Sequence, residues 1–131
     1  MERRFEEKTV RKALQRGYVD AQRLLASPSQ TQKFLLRLEE KEEVVRTVGE
    51  PLAAVPVLER LLRRYLDGEY TAISAAAMAQ VVSALLYFVS PWDLYPDSVP
   101  GKGYADDAAV LDCCWKLCQP ELEAYLAWER E

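Results

Sequence analysis

From Tyr70 to Trp92 the chain runs for 23 residues without a formal charge. A stretch of that length has to be shielded from water by lipid or by the rest of the protein, since about 20 apolar residues suffice to cross a bilayer. Its content argues for protein. Thr71, Ser74, Gln80, Ser83 and several alanines dilute it, and its flanks lack basic anchors or a positive-inside bias. The expectation is a central helix over residues 70–89, buried on all sides by other helices. The remaining segments must then supply the cover.

They have the right periodicity. Val10, Leu14, Tyr18, Ala21 and Leu25 recur at three- and four-residue steps, with Arg11, Lys12, Arg16 and Arg23 between them, which predicts an amphipathic helix. Ser27-Pro28-Ser29-Gln30 reads as the next helix start: an N-cap serine, proline at the first position and a glutamine able to close a capping box. Phe34, Leu35, Leu38, Val45 and Val48 carry that helix to Gly49, and the charged run Glu39–Glu43 reads as a solvated face. Pro51 and Pro56 mark a turn or a kinked start before the stripe Val55, Leu58, Leu61, Leu62, Tyr65 and Leu66, which stops at Asp67-Gly68. Helical spacing resumes from Ala105 to Cys118, and Pro120 opens a short terminal helix with Leu122, Tyr125 and Leu126. Neither an internal repeat nor a period-two alternation occurs. The fold class is all-α, about six helices around the uncharged one, in a single domain over residues 1–131.

Charge and cysteine placement bound the setting. Residues 1–66 carry 14 Lys and Arg against 10 Asp and Glu, while residues 67–131 carry 3 against 11, so the halves are +4 and −8. Such opposition suits self-association or pairing of the halves within the fold, and it does not select nucleic acid. Cys113, Cys114 and Cys118 crowd one helical stretch, where adjacent or one-turn pairs rarely reach disulfide geometry. A reducing, cytoplasmic setting is the expectation, since no export signal opens the chain.

Chemistry-bearing residues gather between Ser90 and Asp107, with four aspartates, three of the seven prolines and two of the five glycines. Pro91, Pro96, Pro100, Gly101 and Gly103 stiffen and turn a structural loop over residues 90–104. Three readings of the carboxylates stand side by side. Asp93, Asp97, Asp106 and Asp107 can converge on a hard cation, Mg²⁺, Mn²⁺ or Ca²⁺, in a hydrolase-like site. They can instead serve architecture: Ser90 and Asp93 as a capping box, Asp97 as an Asx-turn, Asp106 and Asp107 at a helix start favoured by the macrodipole. Or a buried carboxylate can pair with Arg60, Arg63 or Arg64.

The segment from Ala84 to Asp107, with Ser90-Pro91-Trp92-Asp93-Leu94-Tyr95-Pro96-Asp97 and Gly101-Lys102-Gly103-Tyr104-Ala105-Asp106-Asp107 inside it, resembles the signature of the YkvA-like family, domain of unknown function 1232. The resemblance extends weakly over residues 58–111. It implies a small bacterial helical protein with no established reaction, some of whose relatives are membrane-associated. Tyr95 and Ser98 stand where apolar residues are common in the family, and Lys102 lies in the glycine turn, so a lipid-buried loop is disfavoured here.

The chain contains no histidine, which removes the commonest general base and the imidazole-ligated zinc or iron sites. Two cysteines one turn apart are an incomplete ligand set, and Gly101-Lys102-Gly103 is too short for a phosphate-binding loop. The functional expectation is therefore a non-catalytic structural or partner-binding module, acting on a protein partner or on itself. The alternatives are the metal-dependent hydrolase-like site and peripheral membrane association, through the basic face of the first helix or through the uncharged helix.

Overall fold

A computed structural model describes residues 7–89 and 105–131. Seven α-helices and one 3₁₀ turn follow one another among them: α1 (Glu7–Leu25), α2 (Pro28–Glu40), α3 (Glu42–Val48), the turn Glu50–Leu52, α4 (Ala54–Leu66), α5 (Ala75–Val89), α6 (Ala105–Leu117) and α7 (Gln119–Glu129). The protein is all-α. The loop readings at Ser90, Pro91, Asp93, Pro96, Asp97, Pro100, Gly101 and Gly103 fall outside the described residues.

Helix α5 is the centre, packed against α1, α4 and α6. Met78, Val81, Val82, Leu85 and Tyr87 are wholly buried, and each large apolar side chain so placed stabilises the fold by about 1.5–3 kcal/mol. Its most extensive partner is α1. The buried stripe of α1 sets Ala13, Gly17 and Ala21 four residues apart, small enough to let a neighbouring backbone come close. The Ser83 hydroxyl of α5 donates to the Leu14 carbonyl of α1, a buried bond between the two helices.

Helix starts and stops follow local chemistry. Ser27 caps α2 by accepting from the Gln30 N–H at 3.4 Å, but the expected return bond from the Gln30 side chain does not form. The Ser27 N–H is already spent on the Leu24 carbonyl at 3.0 Å. The central helix begins at Ala75 rather than Tyr70, because Ser74 caps it, accepting from the Ala77 N–H at 3.1 Å. Gly68 ends α4 at a φ of 78°, with the Glu69 N–H on the Arg64 carbonyl and the Gly68 N–H on the Tyr65 carbonyl, the paired bonds of a Schellman turn. The segment read as one helix from Ser27 to Gly49 is two, broken at Lys41, whose φ and ψ of −99° and 5° leave the helical region.

The last helix is clamped to α4. Glu129 takes Arg60 Nε at 2.7 Å, Arg64 at 3.0 Å and the Tyr125 hydroxyl at 2.8 Å, and Arg64 also lies 5.3 Å from the Trp128 ring centroid. Tyr70, Tyr125 and Trp128 stack around it, with ring centroids 4.9–6.0 Å apart. Opposite charges from the two halves of the sequence thus meet inside the fold. The Arg60 hydrogen bond, with Tyr125 and Arg64 adding to it, outweighs desolvation and holds the Glu129 carboxyl down from its ordinary 4.5 to about 2.

A depressed folded-state pKa stabilises the fold at pH above the unfolded value and ceases to do so as protons reach the folded carboxylate. The Glu129 contribution is therefore complete above pH 4.5 and disappears as pH falls towards 2. Arg60 is 45% exposed, so solvent screening limits the effect to about 1 kcal/mol. Glu129→Gln should melt below the wild type at neutral pH by that amount, with the two curves converging near pH 2. Equal melting temperatures at pH 7 would show the clamp to be inert.

Candidate functional site

The two stems of the 90–104 segment are the C-terminus of α5 and the first turn of α6. Helix α5 has no basic residue in its last turn to offset the dipole of its terminal carbonyls. Lys41, from the break between α2 and α3, supplies that charge across the fold. Its Nζ donates to the Phe88 carbonyl at 3.2 Å and lies 5.1 Å from the Phe88 ring centroid. The lysine inside the acidic run is therefore a pin rather than part of a solvated face. It also stands at the break, so the helix end and the pin coincide.

On the other stem, Asp107 shares a stripe with Val110, Leu111, Cys114 and Cys118, which follow it by three, four, seven and eleven residues. All of these are buried, and Asp107 is only 3% exposed. A carboxylate thus occupies a core position in the first turn of a helix, where the positive end of the macrodipole favours it. Asp93 and Asp97 lie outside the described residues, as does the side chain of Asp106.

Among the described residues the α4 arginines pair with glutamates. Arg60 and Arg64 hold Glu129, while Arg63 holds Glu39 at 2.8 Å and Glu59 at 3.0 Å. Glutamates of α2, α4 and α7 satisfy all three. Sequence reading missed Glu129 because it lies far along the chain in a helix read only for its apolar positions.

Cys114 and Cys118 are thiols in the core, and Cys113 is half-buried. The hydrogen bond with Cys118 and then burial push the Cys114 thiol up, against the thiolate form. Among the described residues no group of three or more His, Cys, Asp or Glu is placed to hold a metal ion. A cleft of about 260 Å³ between α2, α3 and α4 has an apolar floor of Leu38, Val45, Val55 and Pro56. Its rim is balanced, with Glu42 and Glu59 against Arg46 and Arg60, and both arginines are engaged by glutamates.

Fold and site together define a small helical protein with an apolar central helix pinned by a lysine at its end, followed by a helix with a carboxylate in its core stripe. Residues 77–111 match the family described as a protein of unknown function (DUF1232). Over 69 residues the chain is 38% identical to the "Uncharacterized membrane protein YkvA" of Bacillus subtilis (strain 168), an alignment covering 53% of this chain and 65% of that protein. Residues 77–111 thus carry the DUF1232 signature, and the chain is similar to YkvA. It spans less than two thirds of the length of that relative. No solved structure matches it. Both stems, the end of α5 and Asp107, fall inside the family segment; Lys41 lies outside it.

Removing the pin should loosen one stem selectively. Lys41→Gln is expected to cost about 1 kcal/mol by chemical denaturation and to raise amide hydrogen exchange in the last turn of α5 ahead of the rest of that helix. Uniform exchange along α5 would mean that Lys41 does not hold its end.

Proposed function

We propose that this chain is a non-catalytic intracellular module whose signature segment serves architecture and partner binding rather than chemistry. The observation that carries the reading is Asp107. A carboxylate of the family segment is spent in the core stripe of α6, at 3% exposure, instead of facing solvent where a substrate would meet it. The residues around it point the same way: the chain has no histidine to act as a base, and the thiols on its stripe are buried. Three cysteines within six residues suit a reducing compartment and support a cytoplasmic placement.

Similarity to a protein named as a membrane protein favours a second reading, in which the module works at a membrane surface. Among the described residues no helix is long and apolar enough to cross a membrane. The uncharged helix, offered by the sequence as one route to lipid, is enclosed by its neighbours, with ten of its fifteen residues buried. Contact with lipid then falls to another surface.

Thermal melts with millimolar Mg²⁺, Mn²⁺ or Ca²⁺ separate architecture from a metal site on Asp93, Asp97, Asp106 and Asp107. The expected outcome is no ion-dependent shift for the wild type or Asp97→Asn, with Asp107→Asn losing about 1–3 kcal/mol whether or not ions are present. A rise of several degrees on adding one ion, abolished by Asp97→Asn and by Asp106→Asn, would make the segment a metal centre and overturn the proposal.

A further inference from the structure

Helix α1 turns Val10, Ala13, Leu14, Gly17 and Ala21 inward and exposes Lys8, Lys12, Arg16, Val19 and Arg23 on the opposite ridge. Steps of four, four, three and four keep the exposed five on one stripe, about 22 Å long at 1.5 Å per residue. Its charge is uncompensated. None of the four cations has an ion pair among the described residues, whereas Arg46, Arg60, Arg63, Arg64 and Lys116 are all engaged by carboxylates. Among the described side chains of α1 the one acid is Asp20, beside the stripe. Val19, in the middle of the cations, is 51% exposed.

We infer that this ridge of α1 is a docking surface for an anionic lipid bilayer, an inference that rests on the second reading above and gives it a surface. Complementary charge is the first reason: four unpaired cations in a row meet a negatively charged plane along their whole length. Shape is the second. A straight stripe on one helix can touch a flat surface along its whole length. A nucleic-acid duplex fits less well, because its grooves would draw neighbouring acidic elements towards phosphate, and the stripe holds no aromatic side chain to stack on a base. Val19 gains from the headgroup boundary and nothing from phosphate. Because the apolar face of α1 is already used in the core, attachment is electrostatic and reversible, each cation strengthening it about fivefold.

The test is flotation of the full chain with vesicles of phosphatidylcholine alone or with about one third phosphatidylserine, at low salt and at about 1 M, where the Debye length falls to about 3 Å. The expected result is attachment to the anionic vesicles at low salt, release at high salt and none to the neutral ones. The double variant Lys12→Gln/Arg16→Gln should bind about 25-fold more weakly. Arg46→Gln/Arg130→Gln, which removes the same charge from other exposed elements, should bind as the wild type does, with thermal melts confirming that both variants are folded. Attachment that ignores the α1 substitutions overturns the choice of surface while leaving the membrane reading intact. Failure to attach to either vesicle overturns both, and tighter binding to a DNA duplex than to the anionic vesicles overturns the choice of partner.

Discussion

The close packing of α1 on α5 is the contact on which the other elements depend. An uncharged helix with most of its residues buried needs partners on several sides, and α1 covers more of it than any other helix. Small residues on α1 permit the approach, and the Ser83 hydroxyl finds the Leu14 carbonyl across it. A hydroxyl buried there without a partner would cost about 1–3 kcal/mol, so this bond fixes the register of the two helices as well as their spacing. Helix α6 then packs against both, and α4 closes another side of α5.

Charge is used differently at the centre of the fold and at its edge. Near the core, single ionic groups settle single ends: Lys41 the last carbonyls of α5, Asp107 the first turn of α6. Asp107 lies inside the family segment and Lys41 outside it, and their opposite signs match opposite helix poles. At the edge, charges work in groups, as in the α4–α7 clamp, where two arginines and a tyrosine hydroxyl converge on one glutamate. The outer ridge of α1 shows neither pattern, and its cations are left to solvent or to a partner.

Much of the architecture was legible in the chain, because apolar spacing and turn residues act locally. The helix ends at Leu25, Ser27, Gly49 and Gly68 follow from neighbours within four residues. What escaped was set at long range. The role of Lys41 cannot be read from Glu39–Glu43, because its partner, the Phe88 carbonyl, lies 47 residues away. The arginine partners escaped for the same reason, since Glu129 lies 69 residues beyond Arg60. Asp107 is a different case. Its step to Val110, Leu111 and Cys114 placed it on the buried stripe, a signal available from spacing alone; its position in the first turn drew attention to the dipole instead. The start of α5 at Ala75 rather than Tyr70 depended on choosing Ser74 as the cap, a choice that absence of charge does not inform.

The span between Leu14 and Ser83 bears on how the chain is made. Those partners are 69 residues apart, so on a ribosome adding about 5–20 residues per second the inward stripe of α1 waits some 3–14 s for its cover to be synthesised. During that interval Val10, Leu14 and their neighbours face solvent beside a row of cations. The charged ridge of α1 would then act before the fold is complete as well, by repulsion between nascent copies on neighbouring ribosomes.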